Sequence, residues 1–319
     1  MTSGADEVLE RALSERFDGG DVVKVERRPS ENSSSYHTEV VTVGLADGSE
    51  LRLFLKDYGT CRYQKDGAGE RGVREWLVYR DLLAGSGLGT PEYYGAAWDE
   101  ARGRLCLLLE FVDGPQLKWC GFDRWVEAAA WLGRMQARLG NRCPSSEPFL
   151  VRHGPDLFAS TGTGALRAVA QSAPALRSRV AQVLDRYTEL IPLMAAGPNT
   201  VVHGGYRPQN IVVSGDDSSR IAPADWEEAG IGSPFYDFAY FSDGFDEARR
   251  RVLLDAFREE AASQGVALPT DGSACFLIDC FNLCKNLGTL AKSADRAFPG
   301  DAVLRLVETV ESLAARLSA

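Results

Sequence analysis

The sequence predicts an α+β fold with two lobes, a small antiparallel-sheet lobe followed by a larger and mostly helical one. Three observations on the 319-residue chain predict it. Segments rich in β-branched or alternating apolar residues occupy most of the first third of the chain. Apolar residues at the helical period fill most of the remainder. Asp113-Gly114-Pro115 interrupts the pattern between these parts. We therefore expect an N-terminal lobe over 1–112 and a C-terminal lobe over 113–319.

The N-terminal lobe is predicted to contain three strands, one helix and two further strands. Asp47-Gly48 is a hairpin-turn signal between the second and third strands. The third strand alternates, which puts Leu53 and Leu55 on one face and Lys56 on the other. The predicted strands cover 22–25, 38–43, 51–56, 93–98 and 105–111, and the predicted helix covers 69–83.

The C-terminal lobe is predicted to be mostly helical, because its apolar residues recur at spacings of three and four. The stretch 141–164 is instead rich in Pro, Gly, Ser and Thr, residues that favour turns, and it predicts a loop or lid. The predicted helices cover 122–139, 164–169, 174–194, 233–241, 246–264, 273–293 and 302–317.

The composition excludes several functional classes. A formal net charge of -10 and a pI of about 5.0 disfavour binding to nucleic acid, which requires basic patches. No apolar run approaches the roughly 18 residues that span a bilayer, and the N-terminus lacks the features of a secretory signal. Seven scattered cysteines indicate reduced thiols. We therefore expect a cytoplasmic protein with neither nucleic acid nor membrane among its partners.

The segment 201–213 is typical of a strand, a polar turn and a second strand. Asn210 lies in this turn, and Asp225 follows another short apolar segment fifteen residues later. A carboxamide and a carboxylate at the ends of neighbouring strands can bind one divalent cation, because Mg²⁺ prefers oxygen ligands and takes few of them from protein. The spacing therefore predicts that Asn210 and Asp225 are metal ligands.

This layout resembles the catalytic and metal-binding loops of aminoglycoside phosphotransferases and choline kinases, which are relatives of the protein kinases. The family pattern is His-Gly-Asp, four residues, Asn, and then a strand that leads to Asp-Trp or Asp-Phe. His203, Asn210 and Asp225 match it, whereas Gly205 occupies the position of the family's catalytic Asp. In a later family motif, an Asp at the place of Asp237 opens a helix and braces the catalytic loop. The resemblance implies a protein-kinase-like fold in which His203 and Asp237 give structural support.

The resemblance also implies a phosphotransferase that moves the γ-phosphate of ATP or GTP to a hydroxyl of a small molecule, such as an aminoglycoside or another natural product, with Mg²⁺. The N-terminal lobe would bind the nucleotide, and the C-terminal lobe would hold the catalytic and metal loops and the acceptor pocket. Lys56 takes the place of the phosphate-binding Lys, with Glu75 or its rival Glu70 as partner. The remaining nucleotide-binding residues would be Ser33, Ser34 and Ser35 of a polar loop and Glu110 and Val112 of the hinge.

Gly205 leaves more than one function open. The family's Asp orients the acceptor hydroxyl and accepts its proton, a contribution of typically about 10²–10⁴-fold. Glu227, Glu228 or a carboxylate of the substrate or partner is a candidate for replacing it. Alternatively, the protein is a catalytically impaired pseudokinase, or a ligand- or peptide-binding partner in a biosynthetic pathway. An engineered change that traps a complex ranks last.

The acceptor pocket is expected between the catalytic loop and the C-terminal helices. The carboxylates of that region mostly belong to ordinary solvated helix faces and do not identify the acceptor. We expect a small-molecule or peptide acceptor, and a protein partner is a further alternative. The carboxylates concerned are Asp243, Asp246, Glu259, Glu260 and Asp279.

Overall fold

The computed structural model describes residues 4–17, 21–31, 35–61, 67–99, 104–142, 147–215, 220–269 and 272–318. By contact the chain forms two compact units. Unit 1 comprises Met1–Arg124 and Pro208–Ala229, and unit 2 comprises Trp125–Arg207 and Gly230–Ala319. These units are defined by contacts within the chain, and each combines two separate segments of it. They are therefore no test of the lobe boundary predicted between residues 112 and 113, which stays a prediction.

The helices and strands of the described residues follow one another along the chain in this order. In chain order they are α1 (Gly4–Arg16), β1 (Val22–Pro29), β2 (Tyr36–Leu45), β3 (Glu50–Cys61), α2 (Ala68–Leu77), β4 (Tyr93–Asp99), β5 (Arg104–Glu110), α3 (Phe122–Arg142), β6 (Val151–Arg152), α4 (Pro155–Ser172), α5 (Arg177–Ala195), β7 (Thr200–Val202), β8 (Ile211–Val213), β9 (Ile221–Pro223), β10 (Gly230–Gly232), α6 (Phe235–Phe241), α7 (Glu247–Ser263), α8 (Gly272–Leu290) and α9 (Gly300–Arg316).

Unit 1 is built on a five-stranded antiparallel sheet with the strand order β1-β2-β3-β5-β4. The five strands lie where the sequence predicts them and differ from the prediction only at their ends. The turn between β2 and β3 contains Gly48 with a φ of +86°, a left-handed conformation that glycine adopts without steric cost. The small antiparallel sheet of the predicted fold class is thereby confirmed.

The alternation along β3 decides which of its side chains enter the core. Leu53 and Leu55 are buried on one face, where they belong to a cluster with Val41 of β2 and Leu108 of β5. Lys56 is the next residue along the strand, and successive side chains of a strand face opposite ways. The lysine therefore lies on the face of β3 that is turned away from this core.

Helix α1 covers the same core and is missing from the prediction. Ala5, Val8, Leu9 and Ala12 are buried and pack in the cluster with the sheet. These residues lie at i, i+3, i+4 and i+7, the pattern of an amphipathic helix. The signal for this helix was therefore present in the sequence.

The predicted helix over 69–83 consists of α2 and a π-helical continuation, Val78–Leu83. Gly72 lets α2 approach β3 closely, because a Cβ atom at this position would lie 2.9 Å from the ring of Tyr58. Glu75 follows one turn later and is only 1% exposed. The close packing therefore carries a carboxylate into the interior of unit 1.

The later segment of unit 1 forms a small antiparallel sheet of β8 and β9. A 3-10 turn, Pro208–Asn210, precedes β8. Gly114 packs against β8, and a Cβ atom there would lie 1.9 Å from the carbonyl oxygen of Val213. Only glycine permits this approach, which places the segment after β5 beside β8.

Unit 2 consists of helices around a three-stranded sheet with the order β6-β10-β7. Strand β10 pairs in parallel with β6 and antiparallel with β7. The predicted helical character of this part of the chain is confirmed. Among the described residues, no helix has both the length and the apolar character that crossing a membrane requires. The core of unit 2 combines many aliphatic residues with large aromatic ones, among them Phe158, Phe235, Phe238, Phe257 and Phe281.

The prediction of a loop or lid over 141–164 is wrong from Pro155 onward, where α4 begins. Proline suits the first turn of a helix, because the N–H that it lacks would have no partner there. Gly162 is a packing position inside this helix, since a Cβ atom would lie 3.0 Å from Leu184 and 3.2 Å from Tyr187. Glycine therefore allows α4 and α5 to pack closely and does not end the helix.

Candidate functional site

A buried lysine with two carboxylate partners is the central feature of unit 1. Lys56 Nζ lies 2.8 Å from Glu75 Oε2 and 2.6 Å from Asp225 Oδ1. The side chains of Lys56 and Glu75 are 8% and 1% exposed, whereas that of Asp225 is 38% exposed. Glu70 is an exposed residue. Of the two glutamates considered from the sequence, Glu75 is therefore the partner of Lys56.

The surroundings of Lys56 keep its ammonium group charged. The nitrogen lies 5.3 Å from the ring centre of Tyr36 and 4.9 Å from that of Tyr58, and the Tyr58 hydroxyl donates to Glu75. Burial lowers the pKa of Lys56, but the negative charges of Asp225 and Glu75 outweigh burial and raise the pKa well above its ordinary value. Unit 1 therefore holds a permanent positive charge in a desolvated place.

Asp225 occupies a loop whose backbone is unusual for a residue other than glycine. Its φ is +69°, in the left-handed region, where Asp and Asn are enriched. The N–H of Ala224 donates to the carbonyl oxygen of Asn210 over 2.8 Å, so the two predicted metal ligands lie on joined segments. Glu75, Asp225 and Glu227 each bring a carboxylate oxygen within 4.8 Å of the others. The sequence did not indicate Glu227 as a metal ligand, and its oxygen is of the type that Mg²⁺ prefers.

Two arginines of α2 hold the loop that follows β9. Arg71 Nη1 lies 3.1 Å from Glu228 Oε1 and 3.6 Å from Glu227 Oε1. Arg74 Nη1 donates to the backbone carbonyl of Glu227 over 2.6 Å. Helix α2 therefore supplies both the Glu75 carboxylate and the cations that fix this loop. The sequence gave no signal for these contacts, whose partners are more than 150 residues apart.

The lysine and its partners line a cavity of about 170 Å³ in unit 1. Phe54, Leu109 and Val212 form apolar parts of its wall. Of the predicted nucleotide-binding residues, Ser33 and Ser34 fall outside the described part of the chain. The others all line the cavity, namely Ser35, Lys56, Glu75, Glu110 and Val112, as do the predicted metal ligands Asn210 and Asp225.

In the hinge, the side chain of Glu110 is engaged within the protein, whereas the backbone N–H of Val112 is not engaged by any residue that the structure describes. The carboxylate of Glu110 accepts hydrogen bonds from Arg220 and from the N–H of Glu92, the latter over 3.1 Å. The N–H of Val112 meets no hydrogen-bond acceptor within the residues that the structure describes. Val112 is therefore a residue of the cavity wall whose backbone donor is not engaged among the described residues.

In unit 2, Asp237 holds the loop that contains Gly205. Its carboxylate accepts the N–H of His203 over 2.6 Å and that of Gly204 over 3.0 Å. His203 Nδ1 in turn accepts the N–H of Gly205 over 3.2 Å. Burial raises the pKa of Asp237 to about 7, against the opposing effect of the N–H donors of His203, Gly204 and Tyr206. The shape of the loop is therefore set by bonds to its backbone.

Replacement of Asp237 by Ala should lower the free energy of unfolding by about 3 kcal/mol, because buried N–H donors lose their acceptor. Replacement by Asn keeps one acceptor oxygen, so we expect a smaller loss. The measurement is urea unfolding followed by circular dichroism. Asp255, an exposed carboxylate on α7, gives the matched control, and Asp255→Ala should change stability by less than about 0.5 kcal/mol. Equal losses in the two Ala variants would contradict the bracing role.

Two residues beyond Gly205, the same loop places a cation beside an aromatic ring. The N–H of Arg207 donates to the carbonyl oxygen of Gly205 over 2.7 Å, and its guanidinium lies 5.1 Å from the ring centre of Tyr240. The ammonium of Lys285 lies 5.5 Å from the same ring centre and pairs with Asp243. Sequence reasoning passed over both cations, although Arg207 stands within the motif itself.

The carboxylates predicted for the acceptor region are mostly engaged within unit 2. Glu259 is exposed on α7. The others have partners: Asp243 with Lys285, Asp246 with the N–H of Arg249 at 2.8 Å, Glu260 with Arg134 at 2.7 Å, and Asp279 with Arg250 at 2.9 Å. These carboxylates therefore serve the structure of unit 2.

Solved structures of known proteins share this fold over nearly its full length. The microcompartment-associated aminopropanol kinase is 15% identical with a TM-score of 0.65, and the match covers 98% of this chain and 97% of that one. The macrolide 2'-phosphotransferase MphH of Brachybacterium faecium is 19% identical with a TM-score of 0.58, covering 97% of each chain. The wild-type aminoglycoside 2'-phosphotransferase-IIIa in its GDP complex is 14% identical with a TM-score of 0.62, covering 98% and 99%. The predicted protein-kinase-like fold is confirmed by these likenesses.

Comparison by sequence gives the family. No curated protein sequence matches the chain. The model of the phosphotransferase enzyme family, APH, matches residues 30–269, which is most of the chain. The chain therefore belongs to the phosphotransferase enzyme family.

Proposed function

We propose that the protein is a phosphotransferase that binds ATP or GTP with Mg²⁺ in the unit 1 cavity and transfers the γ-phosphate to a hydroxyl of a small molecule. Phosphoryl transfer requires neutralised phosphate charge, a bound metal and aligned reacting oxygens. The observation that carries the proposal is Lys56, within hydrogen-bond distance of both Glu75 and Asp225 in a cavity that Asn210 also lines. This arrangement supplies groups for the first two requirements.

The base of the nucleotide would lie against the apolar wall of the cavity, and its phosphates would lie near Lys56. Phe54, Leu109 and Val212 offer apolar surface to a base, and the N–H of Val112 offers a donor to its edge. Lys56 would meet the phosphates. An ammonium group has three donors, so Lys56 can keep its bond to Glu75 while it turns another donor from Asp225 to a phosphate oxygen.

Asn210 and Asp225 would hold the metal ion. Both line the cavity, and their amide and carboxylate oxygens are the hard donors that Mg²⁺ prefers. When bound, Mg²⁺ supplies positive charge to the phosphate oxygens. The left-handed backbone of Asp225 and the bond between Ala224 and Asn210 keep the two donors on joined segments, which favours their acting together.

Similar solved structures support both nucleotide binding and a small-molecule acceptor. Nucleotide is present in the GDP complex of aminoglycoside 2'-phosphotransferase-IIIa and in the streptomycin-ATP ternary complex of a further aminoglycoside phosphotransferase, APH(2")-IIa. The names of the relatives include aminoglycoside, macrolide and aminopropanol acceptors. Membership of this family therefore favours a small-molecule acceptor.

A second candidate is a nucleotide-binding protein with impaired catalysis, and Gly205 favours it. A glycine has no group that orients a hydroxyl or accepts its proton. Asp237, the carboxylate that binds this loop, accepts backbone N–H groups. Glu227 and Glu228, the alternative bases, lie beside Arg71. The idea that one of them replaces the family's Asp stays a prediction.

Binding of nucleotide tests the shared part of both candidates. MgATP or MgGTP at about 100 times its Kd should stabilise the protein by about 2.7 kcal/mol, seen as a rise in Tm. Lys56→Met should abolish the rise, because the phosphates lose their cation. Lys24, an exposed lysine of β1, gives the control Lys24→Met, which should keep it.

The comparison concerns the rise caused by nucleotide and not the starting Tm, which Lys56→Met alters by itself. A protein that neither nucleotide stabilises would refute both candidates. A rise that persists in Lys56→Met would refute the assigned role of this lysine.

A further inference from the structure

Two cations of unit 2 share one aromatic ring beside the loop of Gly205. Arg207 belongs to that loop, Lys285 comes from α8, and Tyr240 comes from α6. The charged groups of Arg207 and Lys285 lie 5.1 and 5.5 Å from the centre of the Tyr240 ring. Three separate parts of unit 2 thus bring two positive charges to one place.

The positive charge of this cluster is only partly balanced. Asp243 pairs with Lys285. The guanidinium of Arg207 forms no ion pair with any residue that the structure describes, and its Nε is buried without a hydrogen-bond partner there. Burial lowers the pKa of Lys285, and the charge of Arg207 lowers it further, although Asp243 opposes both. Like charges that are partly removed from water destabilise each other, and a bound anion would relieve them.

Asp243 compensates Lys285, and the other predicted acceptor-region carboxylates form no ion pair with Arg207 among the described residues. The predicted acceptor-region carboxylates other than Glu259 are already bound to cations or backbone of unit 2. Polycationic acceptors require carboxylates that are available to them. The charge around Arg207 and Lys285 suits the opposite kind of molecule.

We propose that Arg207 and Lys285 bind an oxyanion, a carboxylate or a phosphate, carried by the hydroxyl-bearing acceptor. The inference rests on the proposed function, because it is the family resemblance that assigns the position of Gly205 to acceptor orientation. The backbone N–H of Arg207 donates a hydrogen bond to the carbonyl oxygen of Gly205. The Tyr240 ring lies within cation–π distance of both cations. The acceptor is accordingly an anionic alcohol and not an aminoglycoside.

The test uses four probes that share a three-carbon skeleton with hydroxyl groups and differ in charge. Glycerate and glycerol 3-phosphate are anions, glycerol is neutral, and 3-amino-1,2-propanediol is a cation. Dissociation constants are measured by titration calorimetry at constant ionic strength and without nucleotide. We expect saturable binding of one or both anions and weaker binding of the other two probes. Preference for either anion supports the proposal and identifies the kind of oxyanion.

Variants locate the binding. Arg207→Met and Lys285→Met should each weaken anion binding about tenfold or more, since bonds to charged groups contribute on that scale. Lys285→Arg keeps the charge and should keep the binding. Arg251 on α7 is 75% exposed, and the control Arg251→Met should leave the affinity unchanged.

Three results would overturn the inference: no saturable binding of either anion to the unaltered protein, unchanged anion binding in the Arg207→Met/Lys285→Met double variant, or a cationic probe that binds as tightly as the anions. A fourth is loss of nucleotide stabilisation in Arg207→Met, which would assign this residue to the nucleotide. The measurement needs no nucleotide, so the two proposals can fail separately. Anion binding without stabilisation by either MgATP or MgGTP refutes the proposed function alone, and the reverse result refutes this inference alone.

Discussion

Replacing Gly205 with Asp is expected to raise nucleotide turnover with a hydroxyl acceptor by about 10²–10⁴-fold. The new carboxylate would orient the acceptor hydroxyl and accept its proton, which the glycine cannot do. The rise should appear in the release of ADP or GDP, measured with anionic, neutral and cationic alcohols as acceptors. Nucleotide stabilisation in unit 1 should stay the same, because Gly205→Asp changes neither Lys56 nor the residues around it.

The backbone at position 205 admits this change. Gly204 has a φ of +79°, whereas Gly205 is not among the glycines with a positive φ. Gly204→Asp is therefore a matched control, in which the same side chain is added one residue earlier at a strained position. We expect this control to lower stability and to leave turnover unimproved.

The outcome separates the functions that the sequence left open. An inactive protein that becomes active with Gly205→Asp is a nucleotide-binding protein with impaired catalysis. An active protein whose turnover does not rise contains another group that replaces the base, and Glu227→Gln and Glu228→Gln then identify it. A Gly205→Asp variant that folds, binds nucleotide and stays inactive with every acceptor would contradict the assignment of this position.

Replacing Asp225 with Asn is expected to reduce turnover by about 10²–10⁴-fold and to remove the dependence of nucleotide binding on Mg²⁺. The substitution keeps the size of the side chain and removes its charge. Asn also tolerates the left-handed backbone, here a φ of +69°. The loss therefore reports on the charge and not on the loop. Titration of Mg²⁺ at fixed ATP, followed through Tm and through turnover, measures it.

Asp81 provides the control, because it is an exposed carboxylate of unit 1 in an ion pair with Arg80. Asp81→Asn should bind MgATP as the unaltered protein does. The binding measurement holds even if turnover is absent. A variant Asp225→Asn that keeps full Mg²⁺ dependence would show that another carboxylate, such as Glu227, holds the metal.

The parts of the site that follow from local sequence could be predicted. Lys56 lies on the open face of β3 because alternation fixes which side chains face the core. Glu75 falls on the next helix, and the structure brings it to Lys56. Asn210 and Asp225 lie within fifteen residues of each other on short strands, so their joining depends on few intervening residues. The fold class followed in the same way from the periods of apolar residues.

The parts that depend on packing between distant segments could not be predicted. Arg71 and Arg74 meet the loop after β9 across more than 150 residues of chain, and no spacing rule connects them. The position of Arg207 and Lys285 beside the same Tyr240 ring depends on how α6 and α8 pack. Gly162 shows a further limit, because a glycine that serves close helix packing looks in sequence like one that ends a helix.

The hydrogen bonds of Asp237 to the backbone of the loop have a consequence for the evolution of this sequence. Asp237 and His203 bind main-chain N–H groups, so the hydrogen bonds that shape the loop do not require a side chain at residue 205. The glycine codons GGU and GGC differ from the aspartate codons GAU and GAC by a single base. From either of these codons, one point mutation exchanges the two residues, and we expect a lineage to gain or lose the carboxylate at this position in a single step.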